Sequence, residues 1–192
     1  MITGAGGAIG AHMIAHIMHH TNWRVVAIDS FRDEHKGYFD RITEVCRMHR
    51  DWPERLRVIY HDLCAPFTQR QIRKIGDVDY IINLASQSDV QASIDDPAPF
   101  VRNNHELMLN VLEYAREVMP SVFLHFSTDE VYGPCEKDSG GHKEWEPILP
   151  SNPYSASKAA QEALAIAWWR SFNVPLIITN TMNNFGEMQA PS

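Results

Sequence analysis

Thr3-Gly4-Ala5-Gly6-Gly7-Ala8-Ile9-Gly10 stands almost at the start of the chain, and its reading decides the fold. Glycines at this spacing let a backbone turn tightly off the end of a buried parallel strand and enter a helix at once. Met1-Ile2-Thr3 is a short stub for such a strand, so the first strand reads as truncated. Behind the turn, Ile9, Met13, Ile17 and Met18 recur near helical spacing and predict a helix over 8–20 with its apolar stripe on a sheet. The opposite face carries His12, His16, His19 and His20. His12 and His16, at i and i+4, have a spacing that can share a metal, but they lack a nearby carboxylate or cysteine, and a solvated face with no metal is the simpler reading.

Further along, Trp23 to Asp29 reads as a second strand ending in an acid 19 residues after Gly10. In a dinucleotide fold the helix N-terminus binds the pyrophosphate, and an acid at about this distance accepts from the adenosine ribose hydroxyls. Asp29 would repel a ribose phosphate, which favours NAD over NADP, with Arg32 as the nearest counter-argument. A loop over 30–40 and a helix around 41–50 are expected next. Arg57 to Tyr60 makes a third strand, and Asp62 past its end can accept from an adenine amino group or simply form a turn. A helix over 66–75 and a fourth strand over 78–85 complete an alternation that means a doubly wound parallel sheet of the Rossmann type, with ligands at the carboxyl ends of its strands.

The second half carries the groups fit for chemistry. Ala85-Ser86-Gln87-Ser88 leaves the fourth strand with small residues that let a backbone pass close to a ligand. A helix over 100–118 holds Asn103 and Asn104 inside it, where asparagine is disfavoured without a hydrogen-bonding reason. The apolar run 122–126 is a fifth strand that delivers Ser127-Thr128-Asp129-Glu130-Val131-Tyr132-Gly133, a hydroxyl and two adjacent carboxylates at a strand end. After a long loop, Pro153 opens a helix over 153–170 that places Tyr154 and Lys158 on one face. Ala159, Ala160, Ala163 and Ala167 make that helix narrow on one side, as a closely packed or dimer-forming helix is. A sixth strand over 174–179 leads to Asn183 and Asn184.

A tyrosine with a pKa of ~10 becomes a base at neutral pH only if a cation stabilises its phenolate; reaching about 7 takes roughly 4 kcal/mol. Lys158, one turn on, is expected to supply that charge, together with an oxidised nicotinamide. Tyr154 then takes the proton of a substrate hydroxyl as the carbon is oxidised. The neighbouring C–H becomes acidic, and elimination of a hydroxyl beyond it needs one base and one acid, roles that suit Glu130 and Asp129, with Thr128 holding the substrate. The bland alternatives are an ordinary helix and a loop that happens to have two acids.

Composition sets the frame. With 192 residues, 44% of them apolar and 10% aromatic, the chain can bury one substantial core, so a single domain over 1–192 is expected. A net charge of −7 with scattered basic residues argues against nucleic acid. Cys46, Cys64 and Cys135 have no CxxC spacing and suit reduced thiols in the cytoplasm. No apolar run approaches the ~18 residues of a membrane span, and the N-terminus has no signal-peptide pattern.

Thr3 to Gly10, Ser127 to Gly133, Tyr154-Ser155-Ala156-Ser157-Lys158 and Met182-Asn183-Asn184-Phe185-Gly186 together resemble the extended short-chain dehydrogenase/reductases, in their NAD-dependent epimerase/dehydratase group. The Thr128-Asp129-Glu130 triplet resembles the nucleotide-sugar dehydratases (lyases) among them, above all the dTDP-glucose 4,6-dehydratases. The resemblance implies NAD held by Gly4, Gly7, Ala8, Ile9, Gly10, Asp29, Asp62, Leu63, Leu84, Ala85, Ser86, Asn103, Tyr154, Lys158 and Asn184. It implies a nucleotide-sugar substrate touched by Ser88, Thr128 and Asn183, catalysis by Thr128, Asp129, Glu130, Tyr154 and Lys158, and a homodimer. Departures are visible too. Gln87-Ser88-Asp89-Val90-Gln91-Ala92-Ser93 lacks the His, Asp and Arg usual after this serine, Leu107 and Met108 replace a usual Gly-Thr, and the C-terminal substrate domain of the family is missing after Ser192. A 4-epimerase or decarboxylase of the same group, or a non-catalytic NAD-binding module, are the alternative readings.

Overall fold

The computed structural model describes residues 1–31, 52–135 and 140–186. The loop and helix expected over 30–50, with Arg32 and Cys46, lie almost wholly outside these residues. Six parallel strands form one sheet: β1 (Ile2–Thr3), β2 (Val25–Asp29), β3 (Leu56–Tyr60), β4 (Tyr80–Asn83), β5 (Val122–Thr128) and β6 (Leu176–Thr181), in the order β3-β2-β1-β4-β5-β6. The expected doubly wound Rossmann-type sheet is therefore present. The order reverses between β1 and β4, and at such a switch point the loops diverge and leave a crevice at the carboxyl edge.

β1 is only two residues long yet sits at the centre, pairing with Ala27 and Ile28 of β2 on one side and Ile82 and Asn83 of β4 on the other. Both residues are buried. The stub is thus a working strand, because it is hydrogen-bonded along both edges and needs no length of its own. Helix α1 (Ala8–His20) packs Ala11, Ile14, Ile17 and Met18 against Ile2, Val25 and Ala27 on one face of the sheet. His12, His16, His19 and His20 are exposed, and among the described residues no group of three or more metal-ligating side chains comes together.

The other face carries the larger core, where Leu107, Met108, Val111 and Leu112 of α5 and Ala165 of α6 meet Ile28, Ile59, Ile81 and Phe123 of the strands. Here α2 is Trp52–Arg55, α3 is Gln69–Ile75, α4 is Val90–Asp95, α5 is Pro97–Val118 and α6 is Pro153–Phe172. Most element boundaries shift by a few residues from the pattern in the sequence, and two of the differences have a visible cause. The stretch before Phe100 is helical: Asp89 caps α4 by accepting from Ala92 N at 2.9 Å, and Pro97 opens α5 directly after it. β6 runs on to Thr181 because its whole length pairs with β5, from Phe123 opposite Leu176 to Thr128 opposite Thr181. Among the described residues no helix is long and apolar enough to cross a membrane.

Candidate active site

The glycine turn sits at the switch point and fixes how closely the loops approach. Gly4 has φ +66°, and a Cβ there would lie 2.8 Å from the Ala85 nitrogen; a Cβ on Gly10 would run into the Gly4 carbonyl. Thr3 Oγ1 donates to Asn83 Oδ1 at 2.6 Å and accepts from Ala85 N at 3.3 Å, so the loops after β1 and β4 are tied together. Asp29, 7% exposed, accepts from Gly6 N at 2.9 Å and from Phe31 N at 2.8 Å. Its carboxylate is thus held at the strand end by two backbone donors, a use that the ribose reading alone does not include.

Helix α1 begins at Gly7 with no side-chain cap and no acid in its first turn, where Ala8, Ile9 and Gly10 follow. Unsatisfied amides at a helix N-terminus, flanked by Gly7 and Gly10 and at the mouth of a crevice, fit a diphosphate. Asp62 accepts from Cys64 N at 2.9 Å in a tight turn, which is the turn-forming reading, and Leu63 is buried in the core at 6% exposure. The Cys64 thiol donates to Asn103 Oδ1 at 3.3 Å, so Asn103 borders that turn. Leu84, Ala85 and Ser86 line the end of β4, with Ser86 Oγ donating to Gln87 O at 3.0 Å.

Beyond the switch point, β5 delivers Thr128 at 6% exposure, and the chain turns into a short 3-10 helix, Asp129–Tyr132. Thr128 Oγ1 accepts from Glu130 N at 3.3 Å and donates to Asp129 Oδ1 at 3.4 Å. Asn152 Nδ2 donates to Glu130 Oε2 at 3.2 Å while Asn152 Oδ1 caps α6 by accepting from Ser155 N at 2.8 Å. One side chain therefore couples the carboxylate to the helix that carries Tyr154. The Tyr154 N–H donates to Ser93 Oγ of α4 at 3.1 Å, which fixes the first turn of α6 from the other side.

Tyr154 and Lys158 differ in their surroundings. Tyr154 is pushed up from its ordinary value, first by burial and then by the charge of Glu130, with Asp129 adding to it and a hydrogen bond with Thr128 opposing. Lys158 is engaged by other partners. Its Nζ donates to Phe126 O at 2.7 Å and to Gln161 Oε1 at 2.9 Å, and burial brings it down to about 7, opposed by the charge of Glu162. The i, i+4 spacing puts both residues on one side of α6, but the lysine stem reaches back to β5 and spends its charge on a strand carbonyl. A Tyr154 phenolate needs a further positive charge.

Several groups that matter had weak signals in the sequence. Asn104, fully buried, accepts from Gln87 N at 2.8 Å and donates to Gln87 O and Ser157 Oγ, both at 2.9 Å. It clamps the β4–α4 loop between α5 and α6, which is the hydrogen-bonding reason a mid-helix asparagine requires. Ser93 and Asn180 carried no local signal at all. Ser88, Asn183 and Asn184 are exposed at the same carboxyl edge, and Asn184 Nδ2 donates to Met182 O at 3.2 Å.

A model of the family described as GDP-mannose 4,6 dehydratase matches residues 1–192. The chain belongs to this family. A dTDP-glucose 4,6-dehydratase of Neisseria meningitidis is 34% identical over 100% of the chain and 54% of its own length. A low-salt glycan biosynthesis protein of Haloferax volcanii is also 34% identical, over 100% and 58%. Among solved structures, a dTDP-glucose 4,6-dehydratase from Streptomyces venezuelae with NAD bound superposes with a TM-score of 0.82 at 29% identity, covering 99% of this chain and 57% of that one. A UDP-glucuronic acid 4-epimerase from Bacillus cereus in complex with NAD also gives 0.82, at 26% identity over 99% and 58%. The chain spans about half the length of the family members it matches.

Proposed function

We propose that the chain is the NAD-binding and catalytic part of a nucleotide-sugar 4,6-dehydratase of the dTDP-glucose type. One observation carries this reading: Thr128, Asp129 and Glu130 end β5 beside Tyr154, at the same sheet edge as the glycine turn, and the two carboxylates act on the phenol. In this reading residues 1–192 form one domain, and the remaining length of the relatives supplies further grip on the substrate.

The uncapped α1 amides hold the NAD diphosphate, Asp29 the adenosine ribose, and Asp62, Leu63, Leu84 to Ser86, Asn103 and Asn184 border the rest. NAD, when bound, would supply a reversible hydride acceptor and the positive charge that a Tyr154 phenolate needs. Tyr154 takes the proton from the 4-hydroxyl as that carbon becomes a ketone. Glu130, steered by Asn152, removes the proton from the adjacent carbon, and Asp129 protonates the departing 6-hydroxyl, which leaves as water. Thr128, Ser88 and Asn183 face the sugar. The product is a 4-keto-6-deoxy sugar with no net consumption of NAD.

The exposed small face of α6, where Ala163 and Ala167 stand beside Ile166 at 38% and Trp169 at 49% exposure, supports a homodimer. Reduced thiols suit the cytoplasm. A second reading, 4-epimerase, is favoured by the equal TM-score of the epimerase structure. The test incubates the chain with NAD and dTDP-glucose, then with other nucleotide-glucoses, and follows the alkali-induced absorbance of a 4-keto-6-deoxy product. A dehydratase forms it and Asp129→Asn abolishes it. An epimerase forms none and tolerates Asp129→Asn.

A further inference from the structure

Glu162 lies one turn beyond Lys158 on the buried side of α6, at 5% exposure against 4% for the lysine. A carboxylate so placed needs partners, and Glu162 Oε1 accepts from Asn180 Nδ2 at 2.7 Å. Asn180 in turn donates to the Thr128 carbonyl at 3.3 Å and accepts from Tyr132 Oη at 3.3 Å. It therefore joins the end of β6 to both ends of the turn that carries Asp129 and Glu130. We propose that Glu162 is a positioning residue of this site: through Asn180 it anchors the strand end bearing Thr128, and it is the counter-charge of the Lys158 ammonium. The proposal rests on the dehydratase reading only for its effect on turnover.

The surroundings leave Glu162 that role. The titratable groups acting with it are Lys158 on α6 and Tyr132 in the 3-10 turn, while His125 on β5 acts with Lys158; β6 has no charged residue. His125 is fully buried and held neutral, first by burial and then by Lys158, so it offers the lysine no negative partner. Phe126 O and Gln161 Oε1 are neutral acceptors. Glu162 is the charge that draws the Lys158 value upward, against burial. Burial raises Glu162 itself, opposed first by Ser127, then by the Asn180 hydrogen bond and the Lys158 charge.

The test follows the Lys158 side-chain carbon by NMR through a pH titration, assigned with Lys158→Arg, and needs neither NAD nor turnover. Glu162→Gln keeps the acceptor for Asn180 and removes the charge; the Lys158 midpoint is expected to fall below that measured for the wild-type chain. Glu162→Asp, which keeps the charge, is expected to hold it near wild type. An unmoved midpoint in Glu162→Gln overturns the counter-charge. Should Glu162→Gln fail to fold, hydrogen exchange decides with Asn180→Ala, in which the amides of Glu130 to Gly133 are expected to exchange faster; unchanged exchange overturns the anchor. In an active chain, the alkaline limb of the pH profile moves to lower pH in Glu162→Gln. A shifted midpoint in a chain without dehydratase turnover sinks the function and leaves this role standing.

Discussion

Replacing Asn104 with alanine is expected to cost this chain about 3 kcal/mol of stability. The side chain is fully buried and makes three strong contacts outside its own turn, to Gln87 N, Gln87 O and Ser157 Oγ. The carbonyl of Gln87 keeps the Ser86 hydroxyl and Ser157 Oγ keeps its own bond to Tyr154 O, so each loss there is worth about 0.5–1.5 kcal/mol. Gln87 N–H is the group left orphaned, and an unsatisfied buried donor costs about 1–3 kcal/mol. The sum is a large share of the roughly 5–15 kcal/mol that holds a domain together. Urea unfolding measures it as a lower midpoint at unchanged slope. Hydrogen exchange at the Gln87 amide should accelerate in Asn104→Ala. A loss under about 1 kcal/mol with that amide still protected refutes the clamp.

Three further outcomes follow from the geometry. Gly10→Ala drives a methyl into the Gly4 carbonyl and within 2.9 Å of Ala5 Cα, so the turn must shift, stability falls by about 1–3 kcal/mol, and calorimetry is expected to show NAD binding weakened far more than in Gly7→Ala, where the nearest atom is 3.4 Å away. Ser93→Ala takes the acceptor from Tyr154 N and is expected to lower the stability measured by urea unfolding by about 1–2 kcal/mol. His142 and Glu146 pair at 2.7 Å, with His142 also on Gly133 O and stacked on Tyr132. The hydrogen bond with Glu146 raises His142 and the same bond lowers Glu146. A raised histidine contributes fully below its ordinary 6.5 and is lost as pH rises through the raised value, while a lowered carboxylate contributes above its ordinary 4.5 and is lost as pH falls through the lowered one. Amide protection over residues 142–149, measured relative to intrinsic exchange at each pH, should therefore be greatest between those two ordinary values and fall on either side.

The sheet and the strand-end motifs were legible because each has a local cause. A glycine turn, an acid at a strand end, and a Pro-opened helix with Tyr154 and Lys158 one turn apart all express themselves within a few residues. What escaped depends on contacts between distant segments. Met1-Ile2-Thr3 reads as too short for a strand, since nothing in three residues reveals that β2 and β4 clasp it on both edges. Ser93 meets Tyr154 across 61 residues and Asn180 meets Thr128 across 52, so neither leaves a mark on its own neighbourhood. The Lys158 charge was assigned to Tyr154 from helical spacing alone, whereas a long flexible stem finds its partners by reach, here Phe126 O and Gln161. The residue types at the site could be read from sequence, but the allocation of charge among them could not.

The most direct test of the dehydratase account is mass spectrometry of a nucleotide-glucose incubated in heavy water with the NAD-charged chain. If Glu130 removes the adjacent proton and Asp129 expels the hydroxyl, the product is lighter by one water and carries one solvent deuterium at the carbon that was deprotonated. A chain that holds NAD yet returns every nucleotide-glucose with its oxygen intact and no deuterium gained contradicts that account.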